Sequence, residues 1–258
     1  MADDNNVLTE EEMMWMHELE AAAHKAGLQS PGKFWMASAA LVGKGDVKKG
    51  LKRIKNWQQL EEKYKLSEID RDECKAFVLG KLPEALHAMG NSTEGHMSFA
   101  LWFGGFHPSK VTNEQELRYW MRGCQMTFQI CCPTISAVRR GMVLTLWCQD
   151  MGVGNLSLSL EQKVSALYQD AMPIKIKQVI VVDPPGIFGI LKGIASLFLK
   201  KKLMDRVLLT EKDKLTNIFP PSSVSARLGG ANTEEFFTWH ERQWNQYLQS
   251  VEELERTL

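Results

Sequence analysis

The chain has 258 residues, with 31 Lys and Arg balanced by 31 Asp and Glu and 44% hydrophobic residues. That length supports a sizeable core in one large or two small domains, and the even charge leaves no whole-molecule field to draw nucleic acid or an anionic membrane. Five cysteines without a CxxC spacing, two of them adjacent at Cys131 and Cys132, argue against a zinc site or a disulfide framework and for reduced, buried thiols in a cytosolic protein.

Residues 1–8 are acidic and polar and lack the apolar run of a signal peptide, so they read as a disordered start of a cytoplasmic chain. Thr9 and Glu12 have capping-box spacing and open a helix that ends at Gly27, with Met13, Met16, Leu19 and Ala23 on one face. Phe34–Val42 reads as a short helix stopped by the turn at Gly43–Gly45. Asp46 then caps Val47–Tyr64, where Val47, Leu51, Ile54, Trp57, Leu60 and Tyr64 recur at helical spacing. Lys48, Lys49, Lys52, Arg53 and Lys55 form the opposite, solvated face. Asp70–Leu79 is helical and leads into a loop around Gly90–Gly95. Strands are expected at Met97–Phe103, Met142–Trp147, Lys177–Val182 and Val207–Thr210. Helices are expected at Asn113–Cys131, Leu160–Ala171, Lys212–Ile218 and Glu234–Leu258, the last anchored by Phe236, Phe237, Trp244, Tyr247 and Val251. Such alternation predicts an α/β layer structure.

The most informative stretch is Val179–Arg206. Its β-branched start, Val179–Val182, is stopped by Pro184 and Pro185, because proline donates nothing to a sheet ladder. Gly186–Leu199 is apolar on nearly every helical face, with Lys192 and Ser196 as the exceptions, and ends in Lys200, Lys201 and Lys202. A helix apolar all round must be buried in protein or lipid, and this one is shorter than the roughly 20 apolar residues that span a bilayer. It reads as a movable lid with a basic collar that touches a membrane.

Signatures of catalysis are missing. The sequence holds no GxSxG elbow, P-loop, HExxH pair or Rossmann glycine fingerprint. Gly152-Val153-Gly154 reads as a turn, and His17, His24, His87, His96, His107 and His240 have no metal spacing around them. The expectation is therefore not an enzyme, with no metal site and no cofactor.

Several motifs, in order, carry a family resemblance. They are Pro173-Ile174-Lys175-Ile176-Lys177, the Pro184-Pro185 break with Ile187 and Phe188, the lid, and Lys202-Leu203-Met204-Asp205-Arg206. Further matches are Gly45-Asp46-Val47 entering a helix that carries Trp57, Phe106–Thr112 against the pattern F-D-P-x-x-x-T, and Arg140-Gly141 before a core strand. Phe219-Pro220-Pro221 with Leu228-Gly229-Gly230 resembles a closing P-x-x-x-x-x-x-G-G signature, with seven residues in place of six between Pro221 and Gly229. Together, over about residues 30–240, they resemble the CRAL-TRIO lipid-binding domain, the family of the α-tocopherol transfer, cellular retinaldehyde-binding and secretory phosphatidylinositol-transfer proteins.

The resemblance implies an α/β CRAL-TRIO fold: a mixed twisted sheet flanked by helices, an apolar lid helix, and a small all-helical N-terminal region. Its expected divisions are residues 1–75, 76–240 and a packed C-terminal helix at 241–258. A lipid-binding cavity is implied at Met121, Cys124 and Phe128, at Leu144, Leu146 and Leu156, and at Val164, Leu167, Tyr168 and Met172. Ile176 and Val179 fall below the lid, and Ile187, Leu191, Ile194 and Phe198 close it. All of these residues would sit equally well in an ordinary packed core. Lys175, Lys177, Lys202 and Arg206 match positions that hold a phosphoinositide headgroup, and Lys192, Lys200 and Lys201 add local charge.

Two departures shape the functional expectation. The family's arginine-rich N-terminal motif is here Ser38–Asp46, where Lys44 alone is basic, and Ile174 stands where phosphatidylinositol-transfer members carry an acid. The resemblance thus implies a monomeric cytoplasmic carrier, peripherally membrane-associated, that binds one hydrophobic small molecule such as a retinoid, tocopherol, sterol or other isoprenoid. Its partners would be that ligand and, transiently, an anionic or phosphoinositide-bearing membrane, with no nucleic acid. A phosphoinositide or phospholipid-exchange module and a non-catalytic protein-interaction module remain as alternatives.

Overall fold

The computed structural model describes residues 6–186, 189, 193, 196 and 199–257. Four helices come first: α1 (Glu10–Lys25), α2 (Lys33–Gly43), α3 (Val47–Tyr64) and α4 (Arg71–Lys81). Thr9 caps α1 through a reciprocal capping box with Glu12, and Gly27, at φ 67°, takes the left-handed turn beyond its end. Asp46 accepts from the Lys49 amide at 3.1 Å and so starts α3, while Asp70 accepts from the Asp72 amide to start α4. One apolar cluster runs from Met16 and Leu19 of α1 through Met36 of α2 and Ile54 of α3 to the sheet.

A five-stranded sheet in the order β1-β2-β3-β4-β5 forms the centre. Its strands are β1 (Leu86–Asn91), β2 (Met97–Trp102), β3 (Met142–Trp147), β4 (Ile176–Val182) and β5 (Val207–Thr210). β1 and β2 are antiparallel and the remaining neighbours parallel. The parallel strands are joined by α5 (Glu114–Ile130), α6 (Ile135–Arg140) and α7 (Leu158–Ala166), the last continued by a π-turn at Leu167–Ala171. The one-turn helix Lys201–Met204 precedes β5, and α8 (Phe236–Thr257) closes the chain. Phe34 of α2 meets Tyr247 of α8 edge-to-face at 5.2 Å.

Strand β1 fills a stretch for which the sequence announces no element, and it takes Gly90 and Asn91 from the loop expected around Gly90–Gly95. Leu86-His87-Ala88-Met89-Gly90-Asn91 has no β-branched residue and contains a glycine, so propensity does not announce it. Pairing with β2 makes it a strand, as cross-strand context outweighs intrinsic preference. A second correction concerns Arg53. It does not belong to the solvated face of α3: it is half-buried and donates to the Met172 carbonyl oxygen at 2.5 Å.

Two glycines of the motifs have a steric reason. Gly141 turns at φ 79°, and a Cβ there would lie 2.4 Å from the Lys175 carbonyl oxygen. At Gly230 a Cβ would lie 2.1 Å from the Val224 oxygen, so the closing Gly-Gly pair lets two backbones approach. Among the described residues no helix is long and apolar enough to cross a membrane.

Candidate functional site

The two faces of the sheet differ. Alternation along each strand puts Phe99 and Leu101 of β2 beside Leu144 and Leu146 of β3, then Val179 and Val181 of β4, with Val179 paired to Val207 of β5. The opposite face, with Ala100, Val143, Trp147 and Ile180, is filled by Leu215, Phe219, Val224 and Leu228. The first face leaves space. There a cavity of about 480 Å³ lies between the sheet and α4, α5, α7 and α8. That is within the range of pockets holding drug-sized ligands.

Helix placement follows from local sequence. Asn113 caps α5 by accepting from the Glu116 amide at 2.9 Å. The next turns present Trp120, Cys124, Thr127 and Phe128 to the cavity. Ser157 caps α7 by accepting from the Leu160 amide, and Glu161, Val164 and Tyr168 follow on one face, seven residues covering two turns. Aromatic contacts tie these walls together: Phe128 lies 5.8 Å from Phe99 on the sheet and 5.3 Å from Tyr168. Val78 of α4 and Phe236, Phe237 and His240 of α8 complete the lining.

Of the residues expected to line a pocket, Cys124, Phe128, Leu144, Leu146, Leu156, Val164, Tyr168 and Val179 are brought together around this cavity. Met121 and Leu167 are fully buried in the surrounding core instead, and Ile176 is buried at the start of β4, before a register shift between β3 and β4. Met172 borders a separate small void of about 30 Å³ beside Phe34 and Trp57. Ile187, Leu191, Lys192, Ile194 and Phe198 lie outside the described residues. Leu199, at the end of that segment, does line the cavity.

The basic positions fall into two groups. Lys175 is surrounded by Lys177, Lys44 and Arg206, and burial followed by these like charges pushes its ammonium below the usual lysine range. Arg206 also donates to the Ile176 carbonyl oxygen. Lys201 and Lys202 are exposed. Lys200 is engaged: its ammonium pairs with Asp170, and its backbone N–H donates to Gln169 Oε1 at 2.8 Å. The C-terminal end of the 186–199 segment is thereby fastened to the turn that ends α7.

Several lining residues escaped sequence reasoning. Phe99 and Leu101 were readable in principle, because period-two alternation puts them level with Leu144 and Leu146. The contributions of α4 and α8 carried no local signal. Arg71, Lys75, His240 and Glu241 form a polar mouth there, with Arg71 and Glu241 paired at 2.9 Å. Beyond it an open polar groove runs along α8 from Lys75 and Phe237 to Gln249. Glu161 also went unnoticed, since one carboxylate in a polar helix start reads as a helix-end charge. Enclosure by apolar walls pushes its carboxyl up to about 7. The thiols of Cys74 and Cys148 are likewise pushed up to about 12 by burial. Among the described residues, no group of three or more His, Cys, Asp or Glu is arranged to hold a metal ion.

Comparison with known proteins agrees with this architecture. The crystal structure of Sfh5 superposes with a TM-score of 0.51 at 10% identity, covering 78% of this chain and 77% of that one, a likeness of fold. Tyrosine-protein phosphatase non-receptor type 9 from Homo sapiens and from Mus musculus is 29% identical over 102 residues, 40% of this chain. Those residues span 17% of the phosphatase, so the likeness concerns a small part of it. The family model of the CRAL/TRIO domain matches residues 87–230, from β1 to the Gly-Gly pair and more than half of the chain. On that match, the chain belongs to the CRAL/TRIO domain family of lipid-binding proteins.

Proposed function

We propose that this protein is a non-catalytic carrier that holds one hydrophobic small molecule between the sheet and the 186–199 segment and releases it at membranes. The observation that carries this reading is the cavity of about 480 Å³, walled by Phe99, Leu101, Leu144, Leu146, Val179 and Val181 on one side and by helices on the other. Burying an apolar ligand there removes surface from water at about 25 cal/mol per Å², so tight binding needs few polar contacts. Its size and walls favour a retinoid, tocopherol, sterol or other isoprenoid. A closed pocket must open before exchange. The fastening of Lys200 to Asp170 gives that opening a local barrier.

Native mass spectrometry of the purified chain, followed by organic extraction, tests the reading. A stoichiometric apolar lipid is the expected result. A bare protein that also takes up no retinoid, tocopherol, sterol or phospholipid would overturn it.

The crowding of Lys44, Lys175, Lys177 and Arg206 favours a second role for the same surface, contact with a polyanionic lipid headgroup. Four cations held close together are relieved by an anion, and each basic group near an anionic leaflet is worth about 1 kcal/mol. A Lys175→Glu, Lys177→Glu variant is expected to lose sedimentation with vesicles containing phosphatidylinositol bisphosphate. Unchanged sedimentation would remove this role.

A further inference from the structure

We infer that the cavity takes a lipid ending in a hydroxyl group, holds that hydroxyl at Glu161 and Tyr168, and rejects ligands ending in a carboxylate. The inference rests on the carrier reading and specifies the ligand end that the site recognises.

Glu161 and Tyr168 both line the cavity from the same face of α7 and its continuation. Among the described residues neither side chain has a hydrogen-bond or ion-pair partner, and both are partly buried in the wall of the cavity. Tyr168 feels the Glu161 carboxyl directly: burial, then Glu161, then Cys124 push its phenol above the usual range. Among the described residues, the cations that line the cavity, Arg71 and Lys75, belong to its mouth on α4, where Arg71 is paired with Glu241. None of them neutralises Glu161, whose carboxyl is shifted by desolvation alone.

An unpaired carboxyl in an apolar wall is costly to a folded protein. A pure hydrocarbon ligand would raise that cost by displacing water from it. A carboxylate-ended ligand would set two negative charges against each other in a low-dielectric space. A hydroxyl fits both forms of the carboxyl near neutrality, donating to the ionised form and accepting from the protonated one. The Tyr168 phenol supplies a second partner, and no charge enters the cavity.

The test uses alcohol and acid pairs that share one hydrocarbon, retinol with retinoic acid and farnesol with farnesoic acid, titrated by quenching of tryptophan fluorescence; Trp120 lines the cavity. The 258-residue chain is expected to bind the alcohol at least ten-fold more tightly than its acid in one or both pairs. Glu161→Gln keeps the size and hydrogen-bonding capacity but removes the charge. It is expected to hold the alcohol within a few-fold, which reports an intact fold, and to tighten the acid until the preference falls below three-fold. Glu161→Leu is expected to weaken the alcohol. Equal binding of alcohol and acid, or a preference unchanged in Glu161→Gln, would overturn the role of Glu161 and leave the carrier reading standing. If no member of either pair binds, the inference falls; if extraction and the wider lipid panel also come back empty, the carrier reading falls with it.

Discussion

Arg53 of α3 donates a hydrogen bond to the carbonyl oxygen of Met172, 119 residues further along the chain. One turn on, Asn56 donates to the Asp170 carbonyl oxygen at 3.2 Å. These bonds seat the N-terminal helices on the turn that ends α7; Glu161 lies on that helix and Tyr168 on the turn. Burial, opposed by Asp170, lowers the Arg53 pKa without approaching neutrality as a matter of chemistry, since guanidinium stays charged in proteins. A charged hydrogen bond of this kind contributes about 1.5–3 kcal/mol. Arg53→Met should therefore lower unfolding stability by that amount, measured by urea denaturation, with α3 and the α7 turn gaining hydrogen exchange together. Exchange confined to α3 would show that the two elements are not coupled.

Leu146 sits between Leu101 and Val181 on the cavity face. Leu146→Trp should fill part of the space, lowering ligand affinity at least ten-fold, or about 1.4 kcal/mol. Thermal melting should show the chain still folded, because the added volume enters a void rather than a packed core, where overpacking costs about 1–3 kcal/mol. Undiminished lipid recovery from this variant would place the ligand elsewhere.

Lys200 and Asp170 are both partly exposed, with side-chain exposures of 52% and 33%. Pairs of that kind contribute about 0–1 kcal/mol. Lys200→Met should leave global stability nearly unchanged while speeding ligand release up to about five-fold, the equivalent of 1 kcal/mol on an opening step. Stopped-flow transfer to acceptor vesicles measures this. A release rate equal to that of the parent chain would mean that this end of the segment does not limit opening.

His240 is buried at the cavity mouth and stacks on Trp244 at 6.4 Å. Burial, then the cations Arg71 and Lys75, outweigh Glu241 and press its pKa down to about 4. The unfolded chain takes up a proton near pH 6.5 while the folded chain does not until about pH 4. Stability is therefore complete above about pH 6.5 and is lost as pH falls toward 4, by roughly 2–3 kcal/mol in all. His87, lowered mainly by burial, adds in the same direction. Denaturation midpoints between pH 7 and pH 4 should fall less steeply in His240→Phe than in the parent chain. Parallel pH profiles would assign the acid sensitivity to other groups.

The sequence by itself determined the order of elements, and it did so where one periodicity was strong. Met142–Trp147, Val207–Thr210 and Val47–Tyr64 have the boundaries that their alternation, β-branching and capping predict. The family was legible in the spacing of Pro184-Pro185, the basic collar and the Gly229-Gly230 pair, and the matched model bears it out. The outcome was different where a residue's role depends on what lies opposite it. Met121 and Cys124 share α5 and are both apolar, yet one is packed in the core and the other faces open space. Arg53 has the composition of a solvated face and the position of a clamp. β1 exists because β2 pairs with it, and α4 and α8 form the cavity mouth although residues 71 and 240 are far apart in the chain. Glu161 has an ordinary place near a helix start, and only the apolar walls assembled around it disfavour its charge. Periodicity reports which side of an element is apolar; whether that side meets another side chain or a void is decided by the distance between elements, a property of the assembled layers alone.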